Sequence, residues 1–190
     1  MEYTRVHYDV TILRRNLQKS FANAKKFLVE DFHDMCGYCG KHFNEIGAQS
    51  QVDHFIPAKK YPQLANEYSN FVLCCRVCNR KKWDDWPSGS VESCVTADGL
   101  KGYVDPCSEE FDRHLVRNSD GDIIGLTDVG KYMVSKLGFE MRPIKEVFKV
   151  HKLYNMIEKL KLKRDNDSHL VDLLLELEDL KNQLYYQREN

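Results

Sequence analysis

Two Cys-x-x-Cys pairs constrain this chain more than any other feature: Cys36-Gly37-Tyr38-Cys39 and Cys75-Arg76-Val77-Cys78, with 35 residues (40–74) between them. Each pair can close over one side of a tetrahedral ion, and thiolate sulfur suits zinc. Four sulfurs leave no open coordination position, so the predicted role of Cys36, Cys39, Cys75 and Cys78 is structural. Metal binding would then contribute directly to folding a region too short for a large core of its own. Gly37 and Gly40 are expected to permit the tight turns that aim the sulfurs inward. Cys74 lies beside the second pair, but only Cys75 has the spacing to Cys78. Cys94 and Cys107 read as small apolar residues, with His33 and His42 as reserve ligands. The competing reading is a set of buried cysteines or a redox pair. One Cys-x-x-Cys leaves that open; two favour zinc.

At 190 residues the chain can hold one core, or a small core with appended helices. No apolar stretch reaches the length that spans a bilayer. The opening Met1-Glu2-Tyr3-Thr4-Arg5 has an acid and no apolar segment, so no secretory signal is read there. The expected location is the cytoplasm, where thiols stay reduced. Seven cysteines, an odd number, then fit metal ligation better than a disulfide framework. The net charge of −1 excludes a molecule that binds nucleic acid through overall charge. A local basic patch is needed for that.

Apolar residues at Leu17, Phe21, Ala24, Phe27, Leu28 and Phe32 predict a helix from about residue 16 to 32, within an N-terminal extension of residues 1–33. A cysteine-bearing, loop-rich region covers 34–90, closed by Pro87-Ser88-Gly89-Ser90. Residues 91–142 read as a mixed extension. There Asn118-Ser119-Asp120-Gly121-Asp122 predicts a hairpin turn, and Thr127 or Asp128 with Gly138 predicts a short capped helix. Residues 143–190 read as a helical hairpin. Pro143 suits a first turn, and Ile144, Val147, Phe148, His151, Tyr154 and Ile157 share one face. The run Asp165-Asn166-Asp167-Ser168 breaks the pattern and offers an N-cap. Beyond it Leu170, Leu173, Leu177, Leu180 and Leu184 form a short seam.

Between the cysteine pairs lies Val52-Asp53-His54-Phe55-Ile56-Pro57, followed by Asn70 and then by Asn79-Arg80-Lys81-Lys82. Together with Cys36-x-x-Cys39-Gly40 and Cys75-x-x-Cys78-Asn79-x-x-Lys82, these residues resemble the zinc-containing HNH endonuclease family over about residues 34 to 85. The resemblance implies an α+β fold built on a small ββα-metal core with a structural zinc, flanked by an N-terminal helix and a C-terminal helical region. It implies that His54 is a general base, that Asn70 orients its imidazole, and that Asp53 and Asn79 hold one divalent ion against the scissile phosphate. Asn79 supplies oxygen, which favours Mg²⁺ or Mn²⁺. The bland alternative keeps the zinc and gives Asn70 and Asn79 mere capping roles.

Arg76, Arg80, Lys81 and Lys82 concentrate positive charge beside that site, with Trp83 and Trp86 after them and Lys59 and Lys60 before. Such a cluster suits phosphate contacts; a solvated helix face is the plain alternative. DNA is the substrate class the resemblance implies, and RNA is not excluded by the sequence. The leucine seam reads as internal packing first, with a homo-oligomer or a docking face for another protein behind it. Asp105-Pro106-Cys107 and Gly121-Asp122-Ile123-Ile124-Gly125-Leu126-Thr127 resemble HNH subunits of bacterial anti-phage systems of the Septu type, in which such a subunit joins an ATPase. Two functions therefore compete: a metal-dependent DNA endonuclease in defence, and a non-catalytic zinc module binding nucleic acid or a partner. Only the first needs Asp53, His54 and Asn79 together.

Overall fold

The computed structural model describes residues 3–8, 10–17, 20–163 and 168–189, with side chains outside 160–170 and 184–189. Its centre is an antiparallel pair of strands, β2 (Ser50–His54) and β3 (Phe71–Cys75), in which Ser50 faces Cys75 and His54 faces Phe71. Helix α2 (Arg76–Lys82) follows β3 without a break. Cys75 itself caps it, its sulfur accepting from the Cys78 N–H. Trp83, at φ 47°, ends it by turning the backbone left-handed. This β2-β3-α2 unit is the ββα arrangement expected from the sequence.

Helix α1 (Phe21–Asp31) packs across β2 and β3, burying Ala24 and Leu28. It begins later than predicted. Residues 18 and 19 lie outside the described residues, and Asn16 and Leu17 are not helical. The reason is visible at Arg15, whose backbone N–H donates to Asp31 Oδ2 at 3.0 Å, holding this segment beside the end of α1 instead of extending it.

A second sheet has the order β1-β4-β5. Strand β1 (Thr4–Arg5) pairs antiparallel with β4 (Leu115–Arg117), which pairs with β5 (Ile123–Gly125). A one-turn helix, α3 (Phe111–His114), leads into β4. The predicted hairpin at residues 118–122 forms, with Asn118 Oδ1 accepting from the Asp120 and Asp122 N–H groups. Helix α4 (Asp128–Leu137) is capped by Thr127, whose hydroxyl accepts from the Gly130 N–H at 3.1 Å, and stopped by left-handed Gly138. Both ends match the sequence signals.

The main core runs from Val6 through Phe32, Leu73 and Leu115 to Ile144. It crosses the boundaries drawn at 33/34 and 90/91, so N-terminal extension, knuckles and residues 91–142 share one interior. Arg117 ties them together while fully buried. It donates to the carbonyls of Val6 (3.2 Å), Gly121 (2.7 Å) and Cys39 (2.6 Å), and its guanidinium lies over the Tyr8 and Phe148 rings.

Helices α5 (Ile144–Lys163) and α6 (Ser168–Glu189) form the predicted hairpin, with a smaller core of Val147, Val150, Leu153, Ile157, Leu173 and Leu177. Leu180 joins its edge. The capping run at residues 165–167 lies outside the described residues, as do the side chains of Leu170 and Leu184. No helix among the described residues is long and apolar enough to cross a membrane.

Candidate functional site

The two knuckles converge on one point. Cys36 and Cys39 come from the loop before β2, Cys75 from the end of β3 and Cys78 from the first turn of α2. All four are buried, with their sulfurs within 4.8 Å of one another. Cys39 Sγ and Cys75 Sγ are 3.9 Å apart, close to the edge of about 3.8 Å of a tetrahedron with zinc–sulfur bonds of about 2.3 Å. The donor set fits zinc. His33, His42 and Cys74 lie outside it. Cys74 precedes Cys75 on a strand and so faces the opposite way. Gly40 has the left-handed φ of 65° that the first knuckle needs. Gly37 serves differently: a Cβ there would come within 2.7 Å of the Phe32 ring and 2.8 Å of Val72. It is needed for space, not for φ.

The charge partner of the cluster comes from the junction of α4 and α5. Arg142 donates to the sulfurs of Cys78 (3.2 Å), Cys75 (3.4 Å) and Cys39 (3.6 Å). The N–H of Cys75 adds a bond to Cys36 Sγ at 3.3 Å. Burial works against the charge on Arg142, yet the sulfurs of Cys78, Cys39 and Cys75 hold it firmly protonated. Hydrogen bonds from Cys36, Cys75 and Cys78, with Arg142 behind them, hold Cys39 well below the usual thiol range. Nothing in the local sequence marks Arg142, which lies 64 positions beyond Cys78.

Strand alternation sends Asp53 and His54 in different directions, as expected. Asp53 turns toward α2 and is almost fully buried. Its Oδ2 accepts from the Tyr38 hydroxyl at 2.6 Å and pairs with Lys82 Nζ at 3.0 Å. Lys82 also donates to the His54 carbonyl at 2.9 Å. Asn79, one turn before Lys82, donates its amide to Gln51 Oε1 at 2.9 Å, so its side-chain carbonyl is the end available to a cation. His54 turns toward α1. Its ring lies flat on Phe21 (centroids 4.5 Å apart, planes 8° apart), with Phe71 edge-on at 5.3 Å. His54 Nε2 bonds to the carbonyl of Ala65 at 3.0 Å. A carbonyl only accepts, so Nε2 carries the hydrogen and Nδ1 keeps the lone pair of the neutral ring. Asp53, His54 and Asn79 nevertheless border one cleft of about 200 Å³, because His54 is the last residue of β2.

Two expectations need correction. Asn70 does not hold the imidazole. It clamps the loop beyond β2, accepting from Ile56 N–H at 2.7 Å and donating to the carbonyls of Ile56 (2.9 Å) and Leu64 (3.3 Å). That clamp places Ala65, whose carbonyl does the orienting; with both N–H groups of the Asn70 amide given to backbone carbonyls, no donor is left for the ring. Lys82 is no surface contact for nucleic acid, since it is completely buried and neutralised by Asp53. Arg76, Arg80 and Lys81 are exposed, as is Trp83, whereas Trp86 is buried against Phe55 and Tyr103. Lys59 pairs with Asp84 at the cleft's edge. The sequence reading missed Tyr38, Phe21 and Arg142. Only Tyr38 had a signal, as an aromatic inside the first knuckle.

Residues 36–85 match the family model for HNH endonucleases. The chain is 24% identical to the Septu protein PtuB of Bacillus mycoides (strain KBAB4), over 88% of its own length and 60% of that protein's. A stretch of 58 residues is 34% identical to the Septu protein PtuB of Bacillus thuringiensis, covering 30% of this chain and 23% of the relative. The chain thus spans about 60% of the first relative's length and matches 23% of the second's. No solved structure matches it significantly. An HNH endonuclease domain therefore occupies residues 36–85, around a four-cysteine cluster that fits zinc.

Proposed function

We propose that the chain is a metal-dependent endonuclease that hydrolyses DNA phosphodiester bonds, acting as an effector of bacterial anti-phage defence. The observation that carries this reading is the meeting of His54, Asp53 and Asn79 around one cleft inside the HNH segment. His54 Nδ1 takes a proton from the attacking water, the task of a general base. Ala65 and Phe21 hold that ring at its far nitrogen and on one face. Both recorded bonds to Asp53 fall on Oδ2, which leaves Oδ1, with the Asn79 carbonyl, to hold a divalent ion of the Mg²⁺ or Mn²⁺ type. When bound, such an ion stabilises charge on the phosphate and on the leaving oxygen. Arg76, Arg80 and Lys81 supply phosphate contacts.

The experiment is incubation of supercoiled plasmid with Mg²⁺ or Mn²⁺, comparing wild type with His54→Ala. The expected result is nicking by the wild type and none by a variant of unchanged zinc content. Undiminished cleavage by the variant refutes the reading. A non-catalytic zinc module is the second reading, and the Lys82–Asp53 ion pair favours it, since that pair already neutralises the carboxylate. Absence of cleavage with either ion selects it. The resemblance to Septu-type subunits, with relatives named as Septu proteins, also suggests an ATPase partner, tested by co-purification with the product of a neighbouring gene. A nuclease that cuts alone and retains no ATPase argues against that partnership.

A further inference from the structure

On the flank of α2 away from the cleft, a groove of about 860 Å³ lies between α2, the loop after the first knuckle and the start of α5. Lys41, Arg76, Arg80 and Lys81 line it beside Arg142, and no carboxylate does. Several basic chains elsewhere are paired with carboxylates: Arg5 with Asp112, Arg14 with Asp105, Lys131 with Asp128, Lys145 with Asp122. At the cleft itself, Asp84 neutralises Lys59 and Asp53 neutralises Lys82. Among the described residues, no ion pair or side-chain hydrogen bond engages Lys41, Arg76, Arg80 or Lys81. The cleft's own cations are thus spent, and the uncompensated positive field of this region lies over the groove.

The row of charges is continuous with the cleft. Successive helical residues are about 100° apart, so Arg76 and Arg80 lie about 60° and 100° around α2 from Asn79, and Lys81 about 160° from it on the groove side. Ile46, Val77 and Val147 provide an apolar floor. A helix about 10 Å across separates the two places, a span of about three base pairs at about 3.4 Å each.

We infer that this groove is an exosite for the phosphate backbone of duplex DNA, holding it some three or more base pairs from the bond presented to His54. The inference rests on the nuclease reading and deepens it. The cleft carries the chemistry but little attraction for a polyanion, and the groove supplies the affinity. Electrostatic contacts of this kind bind without reading sequence and weaken steeply with salt.

The test is a binding titration in chelator, on a His54→Ala background so that no cleavage enters, with a duplex of about 24 base pairs across a salt series. Lys41→Glu with Lys81→Glu is expected to weaken binding about 10-fold and to lower the slope of log K against log [salt] by about two. The control reverses the same charges at Lys25 and Lys101, exposed residues outside the groove, and is expected to weaken binding less than about three-fold. Unchanged zinc content and melting temperature establish that both double variants fold. Equal losses for the two pairs, no loss for either, or no duplex binding by the parent protein each overturn the inference. Failure of the nuclease reading shows separately, as a wild type that binds the duplex and never cuts plasmid.

Discussion

Replacing Arg142 by alanine tests the zinc centre through a residue that does not ligate the metal. Four thiolates around Zn²⁺ carry a formal charge of −2, and the Arg142 guanidinium is the cation placed against it, 3.2 Å from Cys78, 3.4 Å from Cys75 and 3.6 Å from Cys39. Taking only the two shorter of these three bonds, a hydrogen bond to a charged group contributes about 1.5–3 kcal/mol. Together they give a gross value of about 3–6 kcal/mol. Arg142 borders the open groove beside α2, so water enters the vacated space and recovers part of it. Loss of groups that support a metal site from outside typically weakens metal binding by about 10- to 100-fold, or about 1.4–2.7 kcal/mol. The expected result for Arg142→Ala is therefore a zinc Kd raised about 30-fold, with Arg142→Lys in between because it keeps the charge and loses the fork. The assay is competition for zinc against a chromophoric chelator at fixed pH, since protons compete for the same sulfurs. Arg142 also donates to the Leu137 carbonyl, so thermal unfolding with and without zinc separates metal affinity from local packing. A Kd within about three-fold of wild type would refute the argument, because an effect below about 0.7 kcal/mol means the guanidinium does not stabilise the thiolates.

Phe21→Ala uncovers one face of His54 and is expected to lower plasmid nicking about 10-fold, with activity restored by Phe21→Tyr and zinc content unchanged; equal activity of Phe21→Ala and wild type sinks the positioning role. Lys82→Ala leaves Asp53 buried without its cation, at a cost of about 3–5 kcal/mol and about 10 °C in melting temperature. Excess Mg²⁺ is expected to recover part of that loss, and calorimetric scans with and without the ion check both. Burial lowers the pKa of His7 from 6.5 to about 4, against the hydrogen bond that its Nε2 donates to the Gly37 carbonyl. The folded state then binds fewer protons than the unfolded state between these values, so His7 contributes stability above pH 6.5 that is lost as pH falls toward 4. The loss is about 3 kcal/mol, and urea titrations of wild type and His7→Gln over that window should show a shallower pH dependence in the variant.

The elements with local signals were legible. The knuckle spacing foretells the cluster because two short Cys-x-x-Cys loops have few other uses, and Thr127 with Gly138 marks both ends of α4 because caps are local chemistry. The face of α5 from Ile144 to Ile157 follows from period alone. Long-range relations left no such trace. Nothing near Arg142 announces that three sulfurs await it, and nothing near Phe21 announces a histidine 33 residues on. The error over Lys82 has the same origin. Four basic residues within seven positions look alike as a string, yet the turn of α2 puts Lys82 under Asp53 while Arg76 and Arg80 stay in water. Asn70 misled for a related reason: an amide near a histidine suggests a bond to the ring, and only the path of the loop shows that the backbone claims it first.

The pairing of β1 with β4 joins Thr4 to Arg117 and Arg5 to Val116, and this has a consequence for the order of events during synthesis. At about 5–20 residues per second, the first strand waits roughly 5–20 seconds for its partner to leave the ribosome. Over the same interval the first knuckle stands ready while Cys75, Cys78 and then Arg142 are still to come. The metal can be captured once residue 78 has emerged, well before Arg117 closes Val6 onto the Cys39 carbonyl. Zinc can thereby fasten the two knuckles before the N-terminal strand has its partner, so cellular zinc supply bears on the yield of folded protein before it bears on anything the finished molecule does.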